Sequence, residues 1–275
     1  MKAKIKMIIY FILELGISVL LLGLITLLVL KFTLYSESHF KKALDKNNYY
    51  SMIYNDAKSE MENTIIPTGL PEEVLENIFT EEMVKNDIDT IITNLYHNKT
   101  IKVDTTGIRK NLNTNVNKYL EDNFLEVSDE DNLGALEDQM IDIYVKHVTQ
   151  ANLFKHIQKV IVKTDKLIVI GIITLIAIIA ILGIVIKIFI KDNLLSIPLF
   201  TSGSLLMVVY FYIHSNININ NILIWSKATS NMLHSIANSI FNSMLIVGII
   251  CIAIGIIDSV LTYKPVKQKK KSTKK

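Results

Sequence analysis

A single cysteine, Cys251, stands among 275 residues, inside an apolar run. A disulfide framework is therefore excluded, and the thiol reads as a small packing residue rather than a redox centre. Ten glycines and four prolines are too few for a collagen repeat or a Pro/Gly-rich linker. Wholesale disorder is excluded because half of the residues are hydrophobic. Short catalytic signatures are missing too. No G-x-x-x-x-G-K-S/T, G-x-G-x-x-G or G-x-S-x-G run occurs, so no phosphate cradle or nucleophile elbow is written in the chain. The histidines His39, His97, His147, His156, His214 and His234 include no HExxH and no i,i+4 pair. His147 and His156, nine apart, fall on opposite faces of a helix, so a zinc site is not expected. The stretch from Asp129 imitates a calcium loop, with Asp129, Asp131 and Gly134 at loop positions one, three and six. Leu133 then occupies position five, and Met140 stands at position twelve, where a bidentate Glu is required. A solvated helix–helix turn is the expectation there, with neither metal nor cofactor.

What is abundant is apolar sequence in long blocks. The mean hydropathy is +0.36 although a fifth of the residues are charged, a combination that requires charge and apolarity to be segregated. Four blocks emerge: 7–30, 167–190, 194–213 and 243–263. Each has the roughly 20 residues needed to cross a hydrocarbon core of about 30 Å, and helices satisfy their own backbone there. The first block follows Lys2, Lys4 and Lys6 but is longer than a signal-peptide core. No small-x-small cleavage site follows it before Lys31, so it reads as an uncleaved signal anchor.

Charge sets the orientation. Segment 1–6 holds three Lys, the turn at 191–193 adds Lys191 and Asp192 beside Lys187, and the tail 264–275 holds Lys264, Lys267, Lys269, Lys270, Lys271, Lys274 and Lys275. This bias predicts that both termini are cytoplasmic. The tail is expected to sit on anionic lipid, at about 1 kcal/mol per Lys. Nucleic acid is not an expected partner, because no folded domain accompanies it.

Residues 31–166 carry 16 Lys and Arg against 23 Asp and Glu, a net charge of −7, and are long enough for a core of their own. Helix starts recur: Ser36 before ESHFKKAL, Pro71 before EEVLENIF, Thr80 before EEMVKNDIDTIITNLY, and Thr105 or Thr106 before GIRKNLNTNVNKYLEDNFL. A last helix is expected near Leu133, apolar at Leu136, Met140, Ile143, Tyr144 and Val148; the sequence leaves open whether it runs on into the second span as one long helix. Only TIKVD at 100–104 alternates like a strand. In the loop 214–242, Trp225, Met232, Leu233, Ile236, Ile240 and Phe241 recur at roughly helical spacing. This predicts an amphipathic helix on the outer membrane face or docked under the outer domain, with Trp225 as an interface anchor.

The sharpest local signal lies within the spans. Glu14 in span one and Asp258 in span four sit at a similar depth on the inner side, with Lys187 near the inner end of span two. Span three adds Thr201, Ser202 and Ser204 in its inner half. Acids in hydrocarbon cost several kcal/mol unless paired, protonated or hydrated. These residues form a candidate polar cluster for a cation or proton; the alternative is a set of register-fixing contacts.

The expected fold is thus an all-α integral membrane protein, four transmembrane helices with an extracytoplasmic helical domain between the first two. The order of one span, outer domain, two spans, outer loop and span is similar to the layout of FtsX-like and MacB-like permease subunits. That likeness is of topology, with no shared motif. The Ile/Asn/Lys bias points to an AT-rich bacterial genome, and hence to a bacterial plasma membrane. Functionally, the sequence predicts a non-enzymatic protein whose outer domain binds, senses or braces a protein partner. The competing expectation is a transport component that uses the intramembrane acids.

Overall fold

The structure, a computed structural model, describes residues 2–125, 130–150, 153–190, 196–217 and 226–262. Its helices are α1 (Lys2–Phe32), α2 (Glu37–Lys46), α3 (Tyr49–Ile65), α4 (Glu81–Tyr96), α5 (Thr106–Asp122), α6 (Glu130–Thr149), α7 (Leu153–Ile190), α8 (Ser196–Asn216) and α9 (Lys227–Thr262). Short 3₁₀ turns occupy Ile66–Thr68 and Glu72–Leu75. No strand occurs among the described residues, and 100–104 is an irregular connection between α4 and α5. Four helices, α1, α7, α8 and α9, are long and apolar enough to cross a membrane.

The chain divides into two compact units. The first comprises Lys31–Leu167 and Asn218–Ser239. Its core is written at helical period: Ile53, Ala57, Met61 and Ile65 on α3, Val84, Ile88, Ile91 and Leu95 on α4, and Ile108, Leu112 and Val116 on α5 are all buried. Helix α6 contributes Leu136, Met140, Ile143, Tyr144 and Val148, the five positions its spacing marked. Tyr54, Phe79 and Tyr144 form an edge-to-face aromatic chain, and the Tyr144 hydroxyl donates to Asp87 at 2.6 Å. Ser36 and Thr80 cap α2 and α4 through their side-chain oxygens, which accept from the N–H of His39 and Met83.

Local details depart from the sequence expectation, each for a physical reason. After Pro71 only one 3₁₀ turn forms, because Asn77 takes a left-handed conformation (φ 55°) that sends Ile78 and Phe79 into the core. Thr105 makes no side-chain cap at α5; Asp104 accepts from the Thr106 N–H at 3.0 Å instead. The helix from Glu130 does not run unbroken into span two. It stops at Gln150, whose positive φ of 49° breaks it before α7 begins. The helix–helix turn expected from Asp129 is replaced by helix: α6 is helical from Glu130, so Leu133–Met140 lies within it.

Helix α9 starts at Lys227, well before the block at 243–263. Ala228, Thr229, Ser230, Met232 and Ile236 are buried, and Ser226 caps the helix by accepting from the Thr229 N–H at 3.2 Å. Neither Gly nor Pro falls between Lys227 and Gly248 to interrupt it. Hydropathy marks where the chain becomes apolar, not where its helix begins. Trp225, the turn at 191–193 and the tail 264–275 lie outside the described residues.

The second unit comprises Met1–Leu30, Ile168–Ile217 and Ile240–Lys275. One apolar cluster joins Ile25 and Val29 of α1, Leu206 of α8 and Cys251 of α9; another joins Ile17 of α1 to Ile186 of α7. Between α8 and α9 the backbones nearly touch. A Cβ on Gly203 would lie 2.6 Å from the Gly248 carbonyl oxygen, and one on Gly255 would lie 2.8 Å from that of Ser196. Only glycine allows this approach, because any Cβ would fall within contact distance of the facing backbone. Cys251 sits at this seam as a packing residue.

Candidate functional site

Glu14 occupies the middle of α1, where an apolar run forces it to share a helix with lipid-compatible neighbours. It is only 5% exposed, and its Oε1 is buried without a hydrogen-bond partner. One turn earlier, the Tyr10 side chain hydrogen-bonds to the carboxyl. One turn later, the Ser18 hydroxyl donates to the Glu14 main-chain carbonyl at 2.8 Å. This face of α1, with Tyr10, Leu13, Ile17 and Leu21, packs on Leu182 and Ile186 of α7. The carboxyl is thus buried, with Tyr10 as its hydrogen-bond partner and Oε1 without one.

The other sequence candidates fall differently. Lys187 follows Ile186 but is exposed, and it makes no ion pair with Glu14. Ser202 is fully buried and donates to the Leu199 carbonyl at 3.2 Å. Ser204 donates to the Phe200 carbonyl at 2.8 Å. Both hydroxyls are thus satisfied within α8 and stand beside the Gly203 crossing. Thr201 is half-buried, as is Asp258, which lies on α9 just after Gly255. What sequence reasoning passed over was Tyr10. Its signal was present, since Tyr10, Glu14 and Ser18 are spaced by four and share one helix face.

Within the first unit the polar groups are mostly spent on holding helices together. Glu37 accepts from Lys41 at 2.8 Å and Thr93 at 2.7 Å, with His97 at 3.4 Å; the hydrogen bonds, led by Lys41, hold its carboxyl below the ordinary glutamate range. Glu60 is paired with Lys146 at 2.7 Å and His147 at 2.6 Å and is likewise lowered, chiefly by Lys146. Asp87 goes the other way, pushed up by burial despite the bond from Tyr144. Arg109 bridges Glu137 and Asp138 and so ties α5 to α6.

A second polar group was not foreseen. The Gln150 side-chain oxygen accepts from Thr229 and from Ser226 at 3.3 Å, while its amide donates to the His147 carbonyl at 2.7 Å. The His39 ring nitrogen lies 2.7 Å from the Ser239 hydroxyl. These bonds fasten the first turns of α9 to the α6–α7 corner and to α2. They join residues far apart in sequence, so no local pattern announces them. An open groove between the Glu72–Leu75 turn and α5 is lined by Glu73, Glu76, Lys110, Asn115, Lys118 and Tyr119, among others. Asn111 and Asn115 stitch its floor by donating to the carbonyls of Val74, Glu76 and Ile78. No group of three or more His, Cys, Asp or Glu suited to a metal ion occurs among the described residues.

Compared with protein-family models, curated proteins and solved structures, the chain matches none.

Proposed function

We propose that this is a non-enzymatic multi-pass protein of a bacterial plasma membrane, whose outer helical domain binds a protein partner and passes the state of that contact into the spans. The supporting observation is helix continuity. Helix α7 buries Phe154 and Ile161 in the first unit and Ile186 in the second. Helix α9 buries Thr229, Met232 and Ile236 in the first unit and Cys251 in the second. An α-helix is stiff over such lengths, so a shift imposed at one end is carried along its axis. The lysine bias supports cytoplasmic termini, with the tail of Lys264, Lys267, Lys269, Lys270, Lys271, Lys274 and Lys275 held to anionic lipid. The test is photo-crosslinking in the native membrane from probes at exposed positions of the first unit such as Lys110 and Phe124. One recurrent protein should be captured from these probes and not from probes on the tail. Capture of nothing but lipid from every such position would defeat the reading.

The alternative is a transport component, favoured by the buried, incompletely bonded Glu14. On that reading Glu14→Gln or Asp258→Asn abolishes flux while the protein still inserts. Wild-type flux in both variants would end it.

A further inference from the structure

An acid enclosed by apolar side chains lowers its desolvation cost in one of three ways: an ion pair, a metal ion or a proton. At Glu14 the first is absent among the described residues. Lys187, the cation that follows Ile186 on α7, is exposed and unpaired with it. The second lacks donors. Calcium takes about six to eight oxygens and magnesium a full octahedron, whereas Glu14 has the Tyr10 phenol beside it and a Ser18 hydroxyl already donating to a main-chain carbonyl. No group of three or more His, Cys, Asp or Glu suited to a metal ion includes Glu14 among the described residues. The third requires only what is present. With Tyr10 on the other oxygen, buried Oε1 is the vacant position a proton fills.

We propose that Glu14 is a proton-binding site: a neutral carboxylic acid within the helix bundle at neutral pH, with Tyr10 orienting it and no metal ion taking part. This deepens the transport reading by naming its ligand. For the movement of that proton it rests on that reading, but the proton itself is detected without any flux measurement. Failure of one is therefore distinguishable from failure of the other.

The full-length protein, reconstituted in phosphatidylethanolamine–phosphatidylglycerol vesicles at pH 7, is treated with dicyclohexylcarbodiimide. A protonated carboxyl gives its proton to one carbodiimide nitrogen while its oxygen adds to the central carbon. Acyl migration to the second nitrogen then leaves a stable N-acylurea, with nothing oxidised and no group lost. Peptide mass spectrometry should find the whole reagent added at Glu14, and the adduct should be lost in Glu14→Gln. A water-soluble carbodiimide should label acids of the first unit and spare Glu14.

Infrared spectra supply a readout independent of reagent access. A carboxylic C=O stretch, distinct from the carboxylate bands, should be present in wild type and absent from Glu14→Gln. Should Glu14→Gln fail to insert, Tyr10→Phe serves instead: removing its donor should shift that stretch upward. A spectrum with no carboxylic band assignable by either variant means that Glu14 is ionised, and the proposal falls.

Discussion

At the scale of single residues, burial and partnership decide what each side chain contributes. Ile88 on α4 is fully buried among other aliphatic side chains. Ile88→Ala removes apolar contact and leaves a void, so it should destabilise the first unit by about 2–5 kcal/mol, read as a lowered thermal midpoint. The paired carboxylates act through pH. Glu37 and Glu60 both titrate below the ordinary value of 4.5, held down first by Lys41 and Lys146 respectively. Folding thus favours their ionised forms. That stability is fully present above the unfolded value and drains away as pH falls through the lowered folded value. Both side chains touch solvent, so each is worth only about 0.5 kcal/mol at neutral pH. Glu60→Gln should flatten the decline of the unfolding midpoint below about pH 4.5 and leave the neutral-pH midpoint nearly unchanged. A decline as steep as in wild type would show that the Lys146 and His147 contacts carry no such linkage.

At the scale of elements, the helices of the first unit were legible wherever apolar residues recur at helical period behind an oxygen-bearing cap. Ser36 before α2 and Thr80 before α4 cap as their sequence context suggests. The pattern failed where the decision was tertiary. Pro71 and its acids promise a helix, and Val74, Leu75, Ile78 and Phe79 would share one face of it, all four being buried. The chain turns at Asn77 instead. The α8–α9 crossing is another tertiary decision. Gly203 and Gly248 meet backbone to backbone, whereas a Cβ added to Gly183 on α7 would meet nothing within 4 Å. Gly203→Leu should therefore force α8 and α9 apart, at a cost of about 1–3 kcal/mol in detergent-resistant stability. Gly183→Ala should be neutral or slightly stabilising. Equal behaviour of the two variants in a melting series would show that the close approach carries no stability.

At the scale of the whole molecule, the net charge of +3 is a cancellation rather than a mild basicity. Residues 31–166 carry −7, and the basic excess is concentrated at the two ends of the chain and around Lys187 and Lys191. That asymmetry makes a checkable statement about topology. A reporter fused near residue 100 should be active only in its outer-compartment form, and one fused after residue 263 only in its cytoplasmic form. A cytoplasmic signal at residue 100 would invert the orientation. The two units share helices: α1, α7 and α9 each contribute residues to both.

Composition and periodicity alone determined the four apolar blocks, the helical class and the placing of acids within two of those blocks. Each of these follows from local properties: hydropathy summed over about 20 residues, and side chains repeating every turn. Tertiary structure decided the rest. It ended α6 at Gln150, extended α9 back to Lys227, buried Glu14 beside Tyr10, and occupied Ser202 and Ser204 with their own helix. Those outcomes depend on which distant side chain arrives beside which polar atom. Whether a buried donor or acceptor is satisfied depends on what the fold brings to it, and no stretch of neighbouring residues contains that information.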